Sequence, residues 1–168
     1  GPGLASQTYV VPIAMLQHDR MSEDLPFGSR GGVAIRHHFP LDGEYILKVR
    51  LHRTAYDFIV NLHEPHDLEV RLDGERILSS VVGGEEIIGA PPAGFIGDIF
   101  GVPAWEEYAQ NADGGLEIRL PVRAGTRLVG VSFLGRQTEV EDGVPHPPRY
   151  PERDESLESN LWVHTVDI

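Results

Sequence analysis

Carboxylates crowd one stretch of this chain: Glu139, Glu141, Asp142, Glu152, Asp154, Glu155 and Glu158 all fall between positions 139 and 158. Oxygen donors of this kind select hard cations, and so many like charges repel unless a cation or solvent separates them. One reading is a calcium site whose open positions accept two vicinal sugar hydroxyls, with Asp142, Asp154 and Glu155 as candidate ligands. The other is a solvated acidic loop, because the spacing has no EF-hand form. Aromatic side chains that could stack on the apolar face of a pyranose are Tyr150 within the acidic stretch, Tyr56 in another connection, and Trp105 on an expected helix. Trp162 alternates within a strand and is expected to fill the core.

Other chemistry fares worse. The eight histidines include His37-His38, His63-x-x-His66 and His164. Adjacent residues of a strand point to opposite faces, so His37 and His38 cannot serve one site without a bulge, and no His-Glu-x-x-His helix is present for zinc. There is no Gly-x-Ser-x-Gly elbow and no glycine-rich phosphate loop leading into a helix. The chain is expected not to be an enzyme.

The elements that would hold these residues are strands. In Gly43 to Leu51, Tyr45, Leu47, Val49 and Leu51 share one pleat face while Lys48 and Arg50 take the other, which is a half-buried strand. Leu68 to Leu72 alternates likewise and runs into Asp73-Gly74, a dipeptide suited to the positive φ of a tight hairpin, and back through Arg76-Ile77-Leu78. Thr8 to Val11 is a short run that Pro12 confines to an edge or a strand end. Gly28 to Gly32 reads as a glycine turn before a strand over 33–39, and Pro40 to Gly43 as a hairpin turn into the Tyr45 strand. The connection between Leu51 and Leu68 is expected to be packed, since Phe58, Ile59, Val60 and Leu62 lie in it. A helix is expected over 103–112, where Pro103 suits a first turn. Strands at 116–122, 128–134 and 161–168 complete about eight, so the fold class is all-β: an antiparallel two-sheet β-sandwich of jelly-roll type with one short helix.

Composition narrows the function. With 168 residues the chain is large enough for one domain with a real core. Residues 1–3 read as the remnant of a cleaved expression tag, leaving 4–168 as a single domain expected to come from a longer chain. No cysteine is present, so disulfide, thiolate, iron–sulfur and covalent haem chemistry are excluded. A formal charge of −12 repels phosphate backbones and anionic lipid, so no nucleic acid and no membrane insertion are expected. Trp105 with Phe95, Ile96, Ile99 and Phe100 offers an alternative, an apolar surface for a neighbouring domain.

Taken in order, the Gly-x-Tyr strand at 43–45, Leu-Glu-Val-Arg-Leu-Asp-Gly-Glu at 68–75, Val-Arg-Ala-Gly-Thr-Arg at 122–127 and the last Trp-Val strand resemble the galactose-binding-like jelly roll of carbohydrate-binding modules. More narrowly, the segments 25–32, 39–45 and 64–70 look like a module of large planctomycete-type cytochrome c proteins that is similar to calcium-dependent, xylan-binding modules. The resemblance implies a non-catalytic module that recognises a polysaccharide such as xylan, has calcium as its cofactor, lies in the periplasm or outside the cell, and has the neighbouring domains of an exported redox protein as partners. With no Cys-x-x-Cys-His here, redox chemistry would belong to those neighbours. The family's last strand tends to carry Asp where this chain has His164, which bears on a calcium site at that strand. The rival expectation is a structural interdomain sandwich with no glycan ligand.

Overall fold

A computed structural model describes residues 5–12, 17, 19–88, 90, 102–135 and 161–168. Its elements are β1 (Thr8–Val10), β2 (Ser29–Phe39), β3 (Gly43–Leu51), β4 (His66–Leu72), β5 (Glu75–Val82), α1 (Pro103–Asn111), β6 (Glu117–Val122), β7 (Gly125–Leu134) and β8 (Val163–Asp167). The strands form two four-stranded antiparallel sheets in the orders β1-β8-β3-β6 and β2-β7-β4-β5. The pairs β4/β5, β3/β6, β2/β7 and β1/β8 are those of one long antiparallel ribbon folded at the β4–β5 turn. Rolling that ribbon up adds β3/β8 and β4/β7 and closes each sheet. The fold is an all-β sandwich with jelly-roll strand order.

The period-two pattern makes the core. Leu47, Val49 and Leu51 of β3 turn inward with Val122, Val163 and Val166 of their own sheet, against Phe39, Leu68, Val70, Val131 and Phe133 of the other. Asp73 and Gly74 both have positive φ, as the two-residue β4–β5 hairpin demands. The connection after β3 is packed as expected, with Ile59 and Leu62 buried, and α1 begins with Pro103 in its first turn.

Three expectations are corrected by the structure. Gly28 turns the chain, but β2 already begins at Ser29, and Gly31 and Gly32 form a bulge inside it between Arg30 and Val33. A Cβ on Gly32 would come within 1.7 Å of the Val131 carbonyl oxygen, so this strand crosses its neighbour's backbone where no side chain fits. Second, residues 40–42 are not a hairpin turn. They carry the chain from one sheet to the other, because Phe39 pairs with Gly125 of β7 and Gly43 pairs with Val122 of β6. Third, Leu161 and Val163 take the core positions at the last strand, which leaves Trp162 between them half-buried beside His52.

Candidate functional site

Strand order sends every long connection to one end of the sandwich. Residues 11–28, 52–65, 83–116 and 135–162 join strands there, whereas 40–42, 73–74 and 123–124 make the reversals at the opposite end. The predicted ligands Asp142, Asp154 and Glu155, and the stacking candidate Tyr150, belong to the 135–162 connection and lie outside the described residues. The two stems of that connection are described, and both are clamped. Gly135 donates its N–H to the Gly28 carbonyl, and on the other side the Arg30 guanidinium donates to the Leu161 carbonyl at 2.9 Å.

Buried polar side chains organise this end. Gln17, 2% exposed, donates its amide to the Val163 carbonyl and accepts from the N–H groups of Val163 and Gly32, so one side chain ties three strand-end groups together. Arg30 lies over the Phe133 ring and contacts His66 Nδ1 at 3.1 Å. A guanidinium only donates, so His66 Nδ1 accepts, its Nε2 carries the proton, and that proton goes to the Asn61 carbonyl at 3.0 Å. His66 therefore has both nitrogens engaged within the protein, and His63 stacks on Trp105. The two do not form a metal pair. Among the described residues, no group of three or more histidines and carboxylates is placed to hold a metal ion.

A second clamp fixes the 52–65 connection. Asp113, just past α1, accepts from the Leu51 N–H through one oxygen and from Arg53 at 2.6 Å through the other. Arg53 also donates to the Gln110 and Asp57 carbonyls, so it joins the end of α1 to the loop. Within the loop, Thr54 Oγ1 accepts from the N–H groups of Tyr56 and Phe58, and Asp57 turns the chain with positive φ. The result is a rigid bend with Tyr56, 56% exposed, at its tip.

Trp105 is placed differently from Tyr56. It is 6% exposed, stacked on His63 at 5.1 Å and edge-on to Tyr108, so its faces are occupied by the protein. It packs in the core from α1. Its proposed apolar companions Phe95, Ile96, Ile99 and Phe100 lie outside the described residues.

His164 Nδ1 is buried with no hydrogen-bond partner among the described residues, and its ring meets that of His52 at 5.7 Å. Burial, reinforced by the neighbouring His164, holds the His52 pKa below its usual value. At the opposite end His37 is likewise pushed down by burial and by His38, and its Nδ1 meets the Tyr9 hydroxyl at 2.7 Å. His38 points outward near Thr126, as strand alternation requires.

Gln17, Arg30, Arg53 and Asp113 carried no motif. Each acts on backbone groups far away in sequence, which no local spacing reveals. No family model matches the chain, and neither a curated protein nor a solved structure shows significant similarity to it.

Proposed function

We propose that the chain is a non-catalytic carbohydrate-binding module that recognises a polysaccharide such as xylan at the end of the sandwich bearing the long connections. The observation that carries this reading is Tyr56, an exposed aromatic ring on a bend held by Arg53, Thr54 and Asp113. A bend whose backbone is already hydrogen-bonded carries the exposed ring toward a sugar with less of the loop left to order, which suits stacking on a pyranose. The calcium part of the proposal rests on the carboxylates of residues 139–158 and on the family resemblance. Those carboxylates would hold the ion, and the ion would supply coordination for sugar hydroxyls. In the same reading the module belongs to an exported redox protein, acts in the periplasm or outside the cell, and directs its neighbours to the polysaccharide.

Calorimetric titration of the folded chain with xylohexaose tests this. Heat release with calcium, lost on chelation and in Tyr56→Ala, supports the whole reading. Heat that survives chelation removes the calcium and keeps the sugar. Silence with xylan and other plant or algal glycans, from a protein that still unfolds cooperatively, overturns the proposal in favour of a structural interdomain sandwich.

A further inference from the structure

His52 and His164 meet on the outer face of the sheet β1-β8-β3-β6, and a bulge in β8 is what brings them together. Arg50 pairs with Thr165 and Leu51 with Val163, so β8 carries one residue more than β3 at this point, and that residue is His164. Strict alternation from buried Val166 would turn residue 164 into the core and residue 163 outward. The bulge reverses this. Val163 is buried with Leu51, and His164 and Thr165 lie side by side on the outer face. His52, next after the inward Leu51, faces the same way, as does Trp162. Both imidazoles also stand on fixed main chain: His52 donates its N–H to the Trp162 carbonyl, and the His164 carbonyl accepts from the Val11 N–H, each at 2.8 Å.

We propose that His52 and His164 form a two-imidazole seat for a divalent transition-metal ion of the zinc class. The rings are half-buried, with centres 5.7 Å apart and planes at 85°. Zinc binds an imidazole nitrogen at about 2.0–2.1 Å, which, with the half-width of each ring, sets two imidazoles on one tetrahedral ion with their centres roughly 5 Å apart. A small rotation of either side chain closes the difference. Imidazole is the donor these ions select, whereas calcium takes oxygen. Coordination requires a neutral ring, and burial, reinforced by the neighbouring His164, already holds the His52 pKa below its usual value. The chain's formal charge of −12 favours a cation as well. Among the described residues no third histidine or carboxylate joins the pair, and water completes the coordination of such a two-donor site.

Zinc chloride titrated into the folded chain just above neutral pH, followed through the imidazole nitrogen resonances by NMR, tests the site. The expected result is that one ring nitrogen of His52 and one of His164 shift together and saturate near one zinc per chain, while those of His37, His38, His63 and His66 stay in place. His52→Gln and His164→Gln should each weaken zinc binding at the remaining ring by at least about tenfold, and His38→Gln should leave it unchanged. Excess calcium should not displace the zinc. A shift of only one of the pair, shifts spread over several histidines, or a response that does not saturate means an adventitious ion only and overturns the inference, as does displacement by calcium. The measurement on the unsubstituted chain decides even where a variant fails to fold. Because zinc is read here without sugar, its failure leaves the xylohexaose titration untouched, and silence with xylohexaose leaves this site standing.

Discussion

The two ends of this sandwich are held together by different means. The turn end is built from backbone conformation: Asp73 and Gly74 at positive φ, Gly125 at φ 125°, and crossings of two or three residues between the sheets. Side-chain bonds to its backbone, such as Asp42 accepting from Ala124 N–H and Asp73 accepting from Leu128 N–H, are exposed. The loop end spans far longer connections and is clamped by buried polar groups: Gln17, Arg30 with His66, and Asp113 with Arg53. A long connection cannot be fixed by the φ of one residue. Its carbonyls and N–H groups need partners inside the protein, and a buried partner is costly to remove. Rigidity at the loop end is therefore written in side chains, and at the turn end in main-chain geometry.

Breaking the loop end should have the largest effect. Asp113→Ala leaves Arg53 without its buried carboxylate and Leu51 N–H without an acceptor, so we expect a loss of about 3–5 kcal/mol in urea unfolding. Gly32→Ala places a methyl against the Val131 carbonyl at positive φ, and the expected loss is about 2–4 kcal/mol by the same measurement. Gln17→Ala deprives three strand-end backbone groups of their partner, for roughly 1–3 kcal/mol, with faster amide exchange at Gly32 and Val163. At the turn end, Asp42→Ala should cost only about 0.5–1.5 kcal/mol, since water can replace its single exposed bond. A loss equal to that of Asp113→Ala would erase the distinction between the ends.

Acid sharpens the comparison further, because each end contains one histidine held neutral. The folded pKa values of His37 and His52 lie below the ordinary 6.5. The unfolded chain therefore binds more protons than the folded one as pH drops through that value. Both contributions are complete above pH 6.5 and are lost as pH falls from there through the folded values. His37→Gln and His52→Gln should each flatten the decline of stability between neutral and mildly acidic pH, measured by thermal melts across that range. An unchanged pH profile in either variant would mean that its imidazole is not held neutral.

Much of the fold is legible in the alternation of Tyr45, Leu47, Val49 and Leu51, and in Asp73-Gly74, because a half-buried strand and a two-residue hairpin are local solutions to burial and backbone strain. The 40–43 segment shows where legibility stops. Pro-x-Asp-Gly signals a reversal, but whether it returns the chain to the same sheet or crosses to the other depends on β6 and β7, which lie far along the chain. Gly31-Gly32 was equally ambiguous: paired glycines mark positive φ in a turn and in a bulge alike, and only the approach of Val131 decides. At the candidate site Tyr56 could be picked out by its residue type. That Trp105 is covered by His63 could not, because a helix shows which face is apolar without saying what packs on it.

Residue order alone therefore determined that this chain makes alternating strands with tight turns, that no thiol chemistry is open to it, and that its carboxylates gather late in the chain. These follow from side-chain period, turn stereochemistry and composition, all of which act within a few residues. Tertiary structure decided which strands are neighbours, which end receives all four long connections, and that buried Gln17, Arg30 and Asp113 secure them. Each of these depends on groups distant in sequence meeting across two sheets, where only the closed sandwich brings donor and acceptor together.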